Sequence, residues 1–237
     1  MKKRIWELDA FRGLCVLGMV IVHLSFDVVY LYRLVDWVFP PWLEFLSHWG
    51  GVLFLMLSGI CVTLGRHSLR RGLIVFSSGM VITAVTVALY LFRFANKTII
   101  IYFGALHCLG ICMILWCIFR NFPSWLLTLT GVLLAAAGIY LGTVILVDFP
   151  WLVPLGFLYP EFSTADYFPL LPHFGFFLLG AVIGRKVYSK KVTLFPNVND
   201  RKPLIRVLCF VGRHSLLIYL VHQPLLAAFT WLLSKVL

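Results

Sequence analysis

Acidic side chains are scarce in this chain: nine Asp and Glu stand against twenty Lys and Arg in 237 residues, and charged residues of both signs total only 12%. Together with 62% hydrophobic residues and a mean hydropathy of +0.98, this excludes an ordinary water-soluble domain, in which about 25% of residues are charged. The six cysteines include no CxxC pair and no Cys/His set at zinc-finger spacing, so neither a dithiol redox motif nor a structural zinc site is expected, and no metal is. Cys15, Cys61, Cys108, Cys112, Cys117 and Cys209 read instead as small apolar packing residues. There is no convincing internal repeat of the kind on which many secondary transporters are built. A small-residue cleavage site is also missing behind Lys2, Lys3 and Arg4. The apolar stretch that follows is long and carries Asp9, Arg12, His23 and Asp27, so it reads as a retained span rather than a cleaved signal peptide.

What the chain does have is a succession of apolar runs, each near the roughly 20 residues that cross a bilayer, separated by short charged or proline-bearing stretches. An all-α polytopic helical bundle forming a single integral-membrane domain over 1–237 is expected. Its seven spans fall at about 10–34, 50–65, 72–92, 99–119, 124–147, 170–188 and 215–234. With the N-terminus in the cytoplasm, the inside segments are 1–9, 66–71, 120–123 and 185–214, and they hold fifteen of the twenty basic residues. Only Arg33, Arg93, Lys97 and Lys235 fall at the outer side, while Arg12 lies within the first span. This asymmetry predicts an N-in, C-out topology in the plasma (inner) membrane. It also accounts for the formal charge of +11 without a nucleic-acid partner.

Two connections stand out. Residues 148–169 combine four prolines with acidic and aromatic residues, which predicts an ordered outer-face cap. Residues 189–206 are polar and basic, and "PLIRVLCFVG" predicts a short interfacial helix before Ser215 opens the last span. On the fourth span, Gly104, Cys108 and Cys112 form a small-residue stripe suited to close helix contact, and self-association of the chain is left open.

The first span carries a polar stripe. Arg12 and His23 are eleven steps apart, which at about 100° per residue is three turns plus about 20°, so they share a face. Asp9 and Asp27 fall about 60° to the side and Tyr30 returns to about 0°. A rise of about 1.5 Å per residue puts His23 roughly 16 Å from Arg12, near the middle of a hydrocarbon core about 30 Å thick. A charge at that depth costs at least about 2.5–3.5 kcal/mol, which turns the stripe towards the protein interior or a watered cavity. Asp9 with Arg12 as a structural ion pair, and His23 as a polar packing residue, is the plainer alternative. On the last span Ser215, Tyr219 and His222 share one face, with Pro224 disturbing the backbone beside them.

These residues carry a family resemblance. Arg4, Asp9, Arg12 and Gly13, followed by His23 with ten residues between it and Arg12, resemble the opening of integral-membrane O-acyltransferases, and "GGVLFLMLSG" resembles their second span at Phe54, Ser58 and Gly59. Across the whole chain, "LDAFRG", "IYFGALHCLG", "ADYFPLLPHFGFFLLG" and "GRHSLLIYLVHQP" are similar to bacterial proteins related to the catalytic domain of heparan-α-glucosaminide N-acetyltransferase. The family's catalytic histidine is expected in the first outer loop, where this chain offers only His48, whereas the Arg-ten-His spacing implies His23.

The resemblance implies acyl transfer from acetyl-CoA, or another acyl-CoA, to a glycan or other envelope acceptor. Such a reaction needs a base for the acceptor's proton and a partner for the developing oxyanion. His23 is the candidate base, and Asp27, four residues on, could orient its imidazole as a triad aspartate does. Asp9, Arg12, Ser58, His107, Tyr219 and His222 are the candidates for binding donor or substrate. Arg12 would meet a coenzyme A phosphate at the cytoplasmic mouth, where Arg66, Arg70 and Arg71 could join it, and His222 could serve as a second base or oxyanion donor. His173 is a weaker candidate. Two rival readings remain: a small proton-coupled transporter, since buried His and Asp also mark ion pathways, and a non-catalytic membrane partner. Only the acyltransferase acts on a thioester.

Overall fold

The computed structural model describes residues 4–144 and 148–236. The chain is all-α: α1 Trp6–Phe26, α2 Pro41–Leu64, α3 Ser68–Leu91, α4 Ala105–Phe119, α5 Ser124–Val144, α6 Leu170–Val187, α7 Pro203–Arg213 and α8 Ser215–Leu233. Among the described residues the only β feature is an isolated parallel bridge between Phe103 and Tyr167. Six stretches are long and apolar enough to cross a membrane, the longest being Trp6–Leu31 with 26 residues, and Ala105–Phe119 is a seventh, shorter apolar helix.

The chain divides into two compact units, 1–54 with 190–237, and 55–189. In the first, α1 packs along α7 and α8. The crossing with α7 is close enough to need glycine on both sides: a Cβ on Gly13 would strike the Leu208 carbonyl, and one on Gly212 would strike the Asp9 carbonyl. The expected interfacial helix is therefore real, and its inner face is pinned to α1, with the Cys209 thiol donating to the Trp6 carbonyl at 3.4 Å. Burial, with the Asp9 charge adding to it, pushes that thiol's pKa up. The preceding loop is tied down as well, because the Glu7 carboxylate accepts from Thr193 Oγ1 and the Leu194 N–H, both at 2.8 Å.

In the second unit, α3 pairs with α4 and α5 with α6. The inner end of α2 meets α6 through Gly59 and Gly180, whose Cβ positions are filled by the Phe177 and Met56 carbonyls. The Gly104, Cys108 and Cys112 stripe is used inside the chain: Cys108 and Cys112 are fully buried, and the Cys108 thiol points to the Pro169 carbonyl. Arg185, counted above as an orienting charge, donates to the Phe122 carbonyl at 2.6 Å and to that of Arg120, and stacks over Trp116 at 5.0 Å. It closes the C-terminal end of α4, where carbonyls lack partners.

Residues 148–169 are ordered by hydrogen bonds. A 3-10 turn spans Pro150–Leu155, Tyr167 donates its hydroxyl to the Val153 carbonyl at 2.8 Å, and Phe168 N–H donates to the Phe103 carbonyl at 3.0 Å. Burial pushes the Tyr167 phenol up to about 12.

Three boundaries differ from the periodicity. α1 begins at Trp6 and runs into a π-turn at Asp27–Leu31, closed by the Tyr32 N–H on the Asp27 carbonyl at 2.9 Å. α2 begins at Pro41 rather than near 50, because proline suits the first helical turn and Leu43 behind it is fully buried. α4 begins at Ala105 rather than near 99, since residues 100–103 are extended and join the bridge to Tyr167.

Candidate functional site

At the start of α1, Asp9 gathers arginines from three places in the chain. Arg213 Nε lies 3.1 Å from Oδ2, Arg12 Nη1 3.5 Å from Oδ1 and Arg4 Nη1 3.8 Å from Oδ2. The Asp9–Arg12 pair is thus present, and Arg213, read from sequence only as an inside charge, completes the group. One carboxylate among three guanidiniums leaves a net positive charge. The Arg12 side chain is 17% exposed and that of Arg213 44%, so the charge lies at a surface and is not sealed inside it.

Three turns further along α1, the His23 ring stands edge-on to His222 of α8, with centroids 5.0 Å apart and planes at 65°. His222 is buried and its Nδ1 is 2.6 Å from the Tyr219 carbonyl. A carbonyl can only accept, so Nδ1 carries the proton, and in the neutral ring Nε2 then carries the lone pair. This tautomer makes His222 a second base and not a neutral oxyanion donor. The Tyr219 ring lies 5.4 Å from His222.

Asp27 is 1% exposed, and both its oxygens accept from Gln223 Nε2, at 3.2 and 3.1 Å. Sequence spacing offered Asp27 as the orienting partner of His23; the structure gives its carboxylate a partner on α8. Gln223 had passed unremarked, although a polar residue inside the "HQP" of an apolar span is the kind of signal that marks such a site. The π-turn explains the shift. An i→i+5 turn holds more residues per turn than an α-turn, so side chains after Asp27 lag behind the 100° progression. Tyr30, placed by that progression on the stripe, is 54% exposed and packs against Phe26 and Phe39.

His48 is corrected in position. It lies within α2, exposed, with Nδ1 2.8 Å from the Glu44 carbonyl one turn back, and not in a loop.

The other candidates belong to the second unit. Ser58 is half-buried on α2. His107 is 2% exposed with both ring nitrogens engaged: Nδ1 accepts from the Gly104 N–H and Nε2 faces Thr83 Oγ1, each at 3.2 Å. Thr83 in turn donates to the Ile101 carbonyl at 2.6 Å, so the His107 proton sits on Nε2. Phe103 stacks on the ring and Phe76 meets it edge-on. With Asp166 Oδ2 accepting from the Ala105 N–H at 2.9 Å, His107 caps the first turn of α4. His173 Nδ1 donates to the Pro169 carbonyl at 2.7 Å and is likewise occupied. An open cleft of about 680 Å³ after α3, lined by Tyr90, Arg93, Asn96 and Lys97, contains none of the candidates.

In comparisons with known proteins, the profile of one family matches residues 4–224, nearly the whole chain; it is described as heparan-alpha-glucosaminide N-acetyltransferase, catalytic. No curated protein and no solved structure gives a significant match.

Proposed function

The chain belongs to the heparan-alpha-glucosaminide N-acetyltransferase catalytic family, and from that premise we propose that it moves an acetyl group from cytoplasmic acetyl-CoA to a hydroxyl or amine of an envelope glycan or similar acceptor, with His23 as general base. The observation that carries this reading is the His23–His222 pair, two rings 5.0 Å apart inside membrane-spanning helices and next to a buried carboxylate–amide pair. Two imidazoles at that distance supply a base and a second proton site where charge is otherwise costly.

In this mechanism the acceptor's O–H or N–H gives its proton to His23 as its oxygen or nitrogen attacks the thioester carbonyl. The tetrahedral intermediate then collapses, the acyl bond to the acceptor forms, and the thiolate leaves with a proton returned from the imidazolium. His222, with Nδ1–H fixed on Tyr219, can take up a proton at Nε2 and so share the charge. Arg12 and Arg213 supply guanidinium forks for the phosphates of coenzyme A at the other end of α1. Ser58 is kept as a substrate contact on the strength of the family resemblance alone, and His107 is assigned to holding α4. The fifteen-to-four distribution of basic residues supports the N-in orientation that puts Arg12 on the donor side.

A proton-coupled carrier would also use a buried Asp27 and paired histidines, but it would not consume a thioester. Single-turnover acetyl transfer from radiolabelled acetyl-CoA to candidate envelope glycans in proteoliposomes separates the two. His23→Ala is expected to abolish transfer while acetyl-CoA still binds, and His48→Ala to keep most of the rate. A His23→Ala protein that turns over like wild type, beside an inactive His48→Ala, would move the centre to α2.

A further inference from the structure

Asp27 is the one fully buried acidic residue among the described residues, and no cation lies within ion-pair distance of it there. Its carboxylate is held by a single amide nitrogen, that of Gln223. The two residues sit on different helices, and each is tied by the backbone to one member of the histidine pair. The Asp27 N–H donates to the His23 carbonyl, which makes Asp27 the next turn after His23 on α1. Gln223 directly follows His222 on α8. Asp27 also opens the π-turn, so its anchoring point is where α1 changes pitch.

We infer that Gln223 is a positioning residue for His23: its amide, by holding Asp27, fixes α1 against α8 in the register that brings the His23 and His222 rings together. The physical reason is that neither ring fixes the other strongly. An edge-on ring contact is weak and tolerant of small shifts, whereas a buried carboxylate denied its only donor is costly, so the hydrogen bond dominates the spacing. The carboxyl has no cation to draw it elsewhere, which makes the amide's place on α8 decisive.

The inference rests on the reading of His23 as base, so its test has one arm that needs no catalysis. Gln223→Leu, similar in size and without the amide, should lower the single-turnover rate at saturating acetyl-CoA at least about tenfold while leaving acetyl-CoA affinity unchanged. The exchanged pair Asp27→Asn with Gln223→Glu puts the carboxylate on α8 and the amide on α1; it should recover most of the rate lost in Gln223→Leu. In the second arm, a cysteine-free chain carrying His23→Cys and His222→Cys is bridged with dibromobimane, which fluoresces once both thiols have reacted. Adding Gln223→Leu should cut the bridging yield, and the exchanged pair should restore it. A Gln223→Leu protein with wild-type rate and bridging overturns the inference, as does a lost rate with bridging unchanged. If the wild-type chain transfers no acetyl group, the functional reading fails on its own, and the bridging yields alone decide whether Gln223 sets the spacing of positions 23 and 222.

Discussion

Arg213 reaches across 204 positions of sequence to place its Nε 3.1 Å from the Asp9 carboxylate, so that the basic segment before the last span closes on the first turn of the first. Asp9 thereby orients a second guanidinium beside Arg12. Arg12→Ala is expected to weaken acetyl-CoA binding about tenfold or more, since a charge-assisted hydrogen bond is worth about 1.5–3 kcal/mol. Arg213→Ala should weaken it by less, because that side chain is more exposed. Arg120→Ala, an exposed change away from this group, should stay near the wild-type affinity. Titration by isothermal calorimetry in detergent checks all three, and equal affinities for Arg12→Ala and Arg120→Ala would leave Arg12 a purely structural partner of Asp9.

The orientation proposed from charge can be read directly in intact cells. In a cysteine-free background, Ser163→Cys, exposed in the 148–169 segment, should react with a membrane-impermeant maleimide, and Ser189→Cys, exposed after α6, should react only after permeabilisation. The opposite labelling pattern would invert the topology and put Arg12 on the acceptor side.

Helix contact predicts a sharp contrast between two glycines. Gly13→Ala drives a methyl into the Leu208 carbonyl and should destabilise the chain by about 1–3 kcal/mol, whereas the Cβ of Gly142→Ala meets nothing within 4 Å. The second change should be neutral or slightly stabilising, given alanine's better helix propensity. Thermal unfolding of the detergent-solubilised proteins measures both. A Gly13→Ala chain as stable as wild type would mean that α1 and α7 are not in backbone contact.

Alkaline pH tests the cap. The Tyr167 phenol titrates near 10 in an unfolded chain and is pushed up to about 12 in the fold by burial, so the folded state favours the neutral form. Its contribution to stability is therefore complete below about pH 10 and is lost as pH rises towards 12. The difference in thermal stability between wild type and Tyr167→Phe should shrink across that window; a difference independent of pH would show that Tyr167 titrates as an exposed phenol does.

Much of this molecule was legible from residue patterns because lipid makes a simple demand: long apolar runs must be helices. The spans from Ser124 onward and the α7 helix were readable for that reason, as was the Asp9–Arg12 pair, whose partners are three residues apart. What escaped was set by contacts distant in sequence or by departures from the α period. Nothing local in "PPWLEFLSHWGG" says that Leu43 is fully buried, so a helix start was read as a loop and His48 was misplaced with it. Gln223 pairs with Asp27 across 196 positions, a relation no periodicity contains. His107 read as a potential substrate contact because an intramembrane imidazole is conspicuous. Its engagement with Thr83 and Gly104 depends on how α3 and α4 meet.

The π-turn at Asp27–Leu31 leaves α1 with one residue more than an α-helix would need to reach Tyr32. In evolutionary terms that surplus is an adjustable shim. Deleting a single residue between Val28 and Leu31 would let the α pitch run on unbroken and would swing Asp27 around the axis relative to everything beyond it, without altering one side chain of the polar stripe. Family members that differ in length by one at this point therefore need not share the pairing of helices one and eight, even where every charged residue aligns.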